Sequence, residues 1–170
     1  FRLMEDLFPL NRSITGEGVR DTLTRIEKEI PINKFAILSG EKVFDWSVPD
    51  EWNVTSAKIY RSDGSTLIDY EKNNLHLMSY SVPVDQTLPL KKLKRHIITD
   101  ESRPDAIPYA TSYYKKNWAF CMSHKMFSSL PEDDYHVEIK SKTEPGELNY
   151  GEAYIDNGSN KTVLFSSYIC

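Results

Sequence analysis

Cysteine is nearly absent from the 170 residues: only Cys121 and Cys170 occur, too few for a disulfide framework or a thiolate zinc site. Both read as reduced thiols. A surplus of cations is missing as well. Lys and Arg number 21 against 25 Asp and Glu, a formal charge of −4, so general binding to a phosphate backbone is excluded. No apolar run approaches the roughly 20 residues that cross a bilayer, which excludes a membrane-spanning helix and leads us to expect a soluble, cytoplasmic, globular protein. There is no His-Glu-x-x-His or Gly-x-Ser-x-Gly motif, no internal repeat and no low-complexity segment. The four histidines, His76, His96, His124 and His136, are spaced so that no two share a helical turn. A self-contained metal site or catalytic triad is therefore not written here. Phe1 is not an initiator and Cys170 follows a β-rich run, so both ends read as cuts in a longer protein.

What is present is a chain of alternating and turn-punctuated segments. Phe1 to Leu10 reads as the tail of a helix, with Pro9 disfavouring helix at Phe8. Thr15 to Glu29 is predicted to be an amphipathic helix: Thr15 as N-cap, Glu17 and Asp21 near the positive dipole end, and Val19, Leu23, Ile26 and Ile30 at helical spacing before Pro31. From Phe35 onward, aromatic and β-branched runs predict strands at Val43 to Val48 and Val54 to Tyr60. Ala57 to Tyr60 and Thr66 to Asp69 flank Ser62-Asp63-Gly64-Ser65, where Asp-Gly suits a tight hairpin. Leu75 to Val82 alternates like a strand. Leu90, Leu93, Lys94 and Ile97 predict one short helix with a solvated Lys91-Lys92-Lys94-Arg95 side. Pro104 and Pro108 bracket a loop, Trp118 to Ser123 reads as strand, and Leu130 to Asp134 as loop. Tyr135, Val137 and Ile139 alternate with His136, Glu138 and Lys140 as in a half-buried strand. Leu148 to Ile155 and Thr162 to Ile169 are predicted strands joined by an Asn-Gly reversal. The expected fold class is α+β, mainly antiparallel, with a core of Val43, Trp46, Ile59, Leu67, Leu77, Phe120, Val137 and Ile139.

Four features carry chemistry, each with a plain structural reading beside it. His96 and His136 read as ordinary surface residues. His76, in an apolar stretch, is either a hydrogen-bonded core histidine or one lining a cleft. Tyr109-Ala110-Thr111-Ser112-Tyr113-Tyr114 gathers phenolic and hydroxyl groups, suited to a polar ligand or to an aromatic core strand. Arg12, just before a helix N-terminus, could meet an anion or simply be solvated. Lys91 to Arg95 reads as a solvated helix face rather than a docking patch, given the acidic whole.

Four stretches taken together, Leu7 to Arg20, Val43-Phe44-Asp45-Trp46, Glu71-Lys72-Asn73-Asn74-Leu75-His76 and Pro108 to Tyr114, resemble a bacterial aminopeptidase-like family known by the domains DUF4910 and DUF2172. That family is similar to the zinc exopeptidases of clan MH, peptidase family M28. The resemblance implies an exopeptidase domain interrupted by a β-rich insert: residues 1–34 and 143–170 would belong to the peptidase-like part and 35–142 to the DUF2172-like insert. It further implies zinc in the complete protein, with the first metal-binding histidine following Cys170, so that no metal ligand and no catalytic residue falls in this chain. Arg12, His76, Tyr113 and Tyr114 are the expected substrate-binding residues, facing the N-terminus of a peptide. No nucleic acid or membrane partner is expected. An unpaired edge strand at Thr162 to Ile169 would pair with Leu148 to Ile155 or with a second copy, giving a homo-oligomer. The rival expectations are a peptide- or glycan-binding module in surface-polysaccharide biosynthesis, and a structural interaction domain.

Overall fold

A computed structural model describes residues 1–113, 115–156 and 158–169. In chain order it contains α1 (Arg2–Leu7), α2 (Glu17–Ile26), β1 (Asn33–Leu38), β2 (Lys42–Val43), β3 (Trp46–Ser47), β4 (Glu51–Arg61), β5 (Thr66–Asp69) and β6 (Val84–Pro89). Then come α3 (Leu90–Leu93), β7 (Ile97–Ile98), β8 (Phe120–Cys121), α4 (His124–Ser128), β9 (Asp134–Glu144) and β10 (Glu147–Glu152). Single 3-10 turns cover Asn74–His76 and Lys94–His96. The fold is α+β with mostly antiparallel pairing, and it divides into two compact units: residues 1–52 with 143–170, and residues 53–142. Residues 35–52 thus fall in the first unit, together with the N-terminal helices.

The first unit is built on α2 and an antiparallel ribbon in which β1 meets β10, from Asn33 opposite Glu152 to Leu38 opposite Glu147. α2 buries Val19 and Leu23 of the predicted stripe together with Thr22, while Ile26 is half-buried and Ile30, beyond the helix, is exposed. Its N-cap is Gly16 rather than Thr15. Gly16 stands at φ 112°, a conformation that a side chain resists, while the buried Thr15 hydroxyl donates to the Asp50 carbonyl at 3.2 Å. A tertiary hydrogen bond has claimed the expected cap. The helix also ends at Ile26, closing through turns before Pro31.

The predicted strand Val43 to Val48 is instead a minimal hairpin of β2 and β3, because Phe44 adopts φ 57° and points fully into solvent. Val43 and Trp46 are consequently only half-buried and leave the expected core. β10 pairs with β1, not with Thr162 to Ile169. That last segment forms no strand, and Val163, Leu164, Phe165 and Tyr168 are exposed. Its apolar pattern is a strand's pattern, but no strand among the described residues pairs with it.

The second unit centres on a four-stranded sheet of order β5-β4-β9-β6. The β4–β5 hairpin forms as its Asp-Gly turn predicts, with Gly64 at φ 81°. A bulge at Ile59/Tyr60 shifts the register so that Ile68, not Leu67, faces Ile59 in the core. β9 buries Tyr135, Val137 and Ile139 in the predicted alternation. β6 pairs antiparallel with it, from Val84 opposite Ile139 to Pro89 opposite Asp134. Leu75 to Val82 is not a strand: a 3-10 turn is followed by isolated bridges from Leu77, Ser79 and Ser81 to Phe120, Thr111 and Asn117. Tyr80 at φ 65° breaks the extension, and the buried Ser81 hydroxyl bonds the backbone of Met78 and Ala119. Helix α3 and its 3-10 extension replace the single helix expected over Leu90 to Ile98. Leu90 and Leu93 are buried and Lys91, Lys92, Lys94 and Arg95 exposed, as the spacing predicts.

Candidate functional site

A dense polar constellation lies in the first unit. Arg20, on α2, points its guanidinium at Glu51, the first residue of β4: Nη1 reaches Oε1 at 2.5 Å and Nη2 reaches Oε2 at 2.9 Å. This is a bidentate fork, the strongest arrangement open to the pair. Glu17, three residues back on the helix, takes the outer edge with Nη2 at 2.6 Å and Nε at 3.3 Å. Nη1 also donates to Asn149 Oδ1 at 3.2 Å, and Asn149 Nδ2 donates to Glu147 Oε1 at 2.8 Å. Glu51 is the inner member, its side chain 8% exposed, and its Oε1 accepts the Glu147 N–H at 2.9 Å. Hydrogen bonds from Glu51 and then Glu17 hold the Arg20 pKa above its ordinary value, so the cation is permanent. Gly146 belongs to this arrangement, because a Cβ there would run into the Glu51 carboxylate.

The clasp therefore ties α2 to residue 51, just before the chain leaves the first unit, and to residue 147, just after it returns. Beside it opens a groove of about 340 Å³ lined by Arg20, Leu23, Thr24, Lys34, Phe35 and Ala36 together with Glu147 and Asn149. Lys34 at its rim pairs with Glu27 at 2.7 Å. Phe35 stacks on Tyr150 across the β1–β10 ribbon, ring centroids 5.1 Å apart. Such a groove can hold a small polar group against fixed charges of both signs. Sequence reasoning missed it: Glu17 and Arg20 show the i,i+3 spacing of a helical ion pair, but nothing local announces Glu51.

The residues expected to bind substrate fall on both units. Arg12 lies half-buried in the loop before α2, in the first unit. His76 ends a 3-10 turn in the second unit, its Nδ1 2.8 Å from the Cys121 carbonyl. A carbonyl only accepts, so Nδ1 carries a proton and donates it to that carbonyl. Tyr113 packs edge-on against Tyr80 at 5.4 Å. Residues 77–81 thus run between the surroundings of His76 and those of Tyr113. Tyr114 lies outside the described residues.

His96 is a correction. It is half-buried rather than a surface residue, stacked on Trp118 at 3.7 Å and 4°, and its Nδ1 donates to the Trp118 carbonyl at 3.1 Å. His76 and His96 together anchor the carbonyls of the buried run Trp118 to Met122. His136 keeps to the polar face of β9, 3.4 Å from Asp85 and 3.3 Å from Thr87. Burial pushes the Cys121 thiol up to about 11, which leaves it a packing residue and not a nucleophile. Among the described residues, no three His, Cys, Asp or Glu side chains come together to hold a metal ion, so the donors present do not fit a zinc site. No described helix is long and apolar enough to cross a membrane.

The chain is similar to known proteins. The chain is 48% identical, over all 170 residues, to a Clostridium acetobutylicum protein provisionally named for polysaccharide biosynthesis with an aminopeptidase-like domain. It spans only 39% of that relative's length. A crystal structure of a provisionally named peptidase from Clostridium acetobutylicum matches 91% of this chain with a TM-score of 0.87 and 51% identity, this chain covering 36% of it. Residues 51–142, the second unit to within two residues, match the family described as a domain of unknown function, DUF2172. A profile covering more than half of the chain and coinciding with one of its two compact units places this protein in the DUF2172 family.

Proposed function

We propose that this chain is the N-terminal part of an aminopeptidase-like hydrolase of the M28 and DUF4910 kind, acting in the cytoplasm on peptide N-termini. The observation that carries the reading is the match over the whole chain to a relative named for an aminopeptidase-like domain, together with the likeness to a structure named a peptidase. The division of the chain supports it: residues 53–142 interrupt a helix-and-ribbon unit as a domain inserted into a host would. In this reading the insert contributes substrate contacts, with His76, Tyr113 and Tyr114 on it and Arg12 on the host unit. Zinc is proposed for the complete protein, and none of its ligands is assigned to this chain. When bound, the metal would supply a polarised carbonyl and an activated water.

The test is release of free amino acid from dipeptides and chromogenic aminoacyl amides by the full-length protein, with and without added zinc and after chelation. Zinc-dependent release is expected. Absence of release by protein shown to be folded and metal-loaded overturns the hydrolase reading. The polysaccharide name of the same relative favours a second reading, in which the second unit is a peptide- or glycan-binding module. Binding without turnover would favour it.

A further inference from the structure

The second unit carries cations that its own fold leaves unused. Lys91, Lys92, Lys94 and Arg95 stand exposed on α3 and its 3-10 extension, and Lys115 and Lys116 are exposed as well. These two groups are remote in sequence, but the pairing of β7 with β8 brings them to one place. That ribbon is parallel, with Ile97 opposite Phe120 and Ile98 opposite Cys121. In a parallel pair both strands begin at the same end. The segments that lead into them, 91–95 and 115–116, therefore reach the ribbon side by side. The His96–Trp118 stack, ring centroids 3.7 Å apart, joins residues that closely follow the two segments.

None of the six forms an ion pair among the described residues. Lys58, Arg103, Lys125 and Lys140 of the same unit all do, with Asp69, Asp100, Asp105 and Glu138. At the start of α3, Leu90 N–H donates to the Asp133 carbonyl, and the Asp133 carboxylate accepts from Ser62 at 2.6 Å. Lys94 alone has a partner, its Nζ 5.5 Å over the Phe127 ring. The support beneath is rigid, because Leu90, Leu93 and Trp118 are buried. Although the chain is acidic, the charges are segregated. Residues 53–142 hold 13 Lys and Arg against 11 Asp and Glu, while the rest of the chain holds 8 against 14.

We propose that the face made by Lys91, Lys92, Lys94, Arg95, Lys115 and Lys116 is a docking surface for an acidic polysaccharide, a flexible polymer with repeated carboxylates. The inference rests on the glycan-binding reading above and is independent of peptide hydrolysis. Five of the six groups are lysines, compact point charges on flexible stems, which suit spaced carboxylates better than the planar recognition of base edges. The ridge lacks what other polyanions require. Trp118 is 8% exposed and offers no platform for nucleobase stacking. Tyr109 is the only large apolar side chain of this unit that is markedly exposed among the described residues, so no apolar anchor for a lipid surface accompanies the cations.

The experiment is fluorescence anisotropy of labelled polygalacturonate titrated with the 170-residue chain, alongside neutral dextran, an oligothymidylate and phosphatidylserine vesicles. Saturable binding to polygalacturonate is expected, weakened about tenfold when salt rises from about 0.05 M to about 0.3 M. The double variant K92E/R95E should lower the affinity at least tenfold, and K115Q/K116Q, from the other segment, severalfold. K28E in the first unit should leave it unchanged. All five side chains are exposed, and circular dichroism checks that each variant folds. Should K92E/R95E fail to fold, K115Q/K116Q decides alone. No binding to polygalacturonate, or binding insensitive to these variants, overturns the proposal. Equal binding of dextran overturns it while sparing the glycan reading. Tighter binding to the oligonucleotide or the vesicles overturns it in favour of those partners.

Discussion

The two units solve the problem of apolar surface in opposite ways. Among the described residues, the second unit buries sixteen hydrophobic side chains, from Ala57 to Ile139, and leaves Tyr109 as its one large exposed one. The first buries four, Val19, Leu23, Val48 and Trp52, and exposes fourteen, from Phe1 to Tyr168. The second unit has a closed core of its own. The first is held by polar devices, above all the Arg20–Glu51 clasp, while most of its large apolar side chains stay exposed. Composition alone does not separate them, since both are rich in aromatic residues. What separates them is whether strands find neighbours on both sides, as β4 and β9 do and as Thr162 to Ile169 does not.

The contrast can be broken most severely by taking the units apart. Residues 53–142 expressed alone should unfold in one cooperative transition in urea, monitored by tryptophan fluorescence through Trp118, the one tryptophan they contain. A gradual, non-cooperative change would remove the claim of an independent core. Next in size is Phe120→Ala, at a side chain with no exposure, which should cost about 3–5 kcal/mol in the whole chain. In the first unit Arg20→Met should cost about 3 kcal/mol, because it strands the Glu51 carboxylate at 8% exposure. Glu51→Gln should be milder, since it removes the buried charge along with the pairing. Equal losses for the two would argue against a clasp organised around a buried anion.

A smaller effect separates the units by pH. Burial raises the Cys121 thiol from 9.0 to about 11, so above about pH 9 the unfolded chain loses this proton while the folded chain keeps it. Stability should fall as pH rises from 9 through 11, and Cys121→Ala should lack that part of the fall. Reaction of the native thiol with a disulfide reagent at pH 8 should be correspondingly slow. The smallest effect is expected for Phe165→Ala: at 90% exposure, the change should stay within about 0.5 kcal/mol by urea denaturation.

How much of this could be read from residues follows from how local each cause is. The β4–β5 hairpin was legible because Asp63-Gly64 dictates its own turn, and β9 because Tyr135, Val137 and Ile139 alternate without interruption. β6 was not, since Val84 to Pro89 carries Asp85, Gln86 and Pro89 and becomes a strand only by pairing with β9. The short helix α4 was hidden likewise, its cap being a Ser123 hydroxyl that accepts from Met126 N–H. Leu67 and Ile68 exchanged places because a bulge counts residues differently from strict alternation. The candidate site was the least legible part: Arg20 and Glu51 are thirty-one positions apart and their partnership is purely tertiary. The family, in contrast, was visible in the four motif stretches, and the profile match at residues 51–142 bears out the DUF2172 part of that resemblance.

β4 and β9 are neighbours in one sheet, and the Thr55 hydroxyl donates to the Lys140 carbonyl at 3.2 Å. The ninety-residue excursion from Asn53 to Lys142 therefore begins and ends at nearly the same point. Once that sheet has formed, the remainder of the chain meets a bridge no longer than a tight turn. The closure entropy of a loop that long falls on the excursion's own folding and not on the assembly of α2 with β1 and β10. We predict an order of events in which the sheet forms first and the clasp closes last. It also follows that lengthening a turn far from this junction, at Asp63-Gly64 for example, should leave the rate of that final step unchanged.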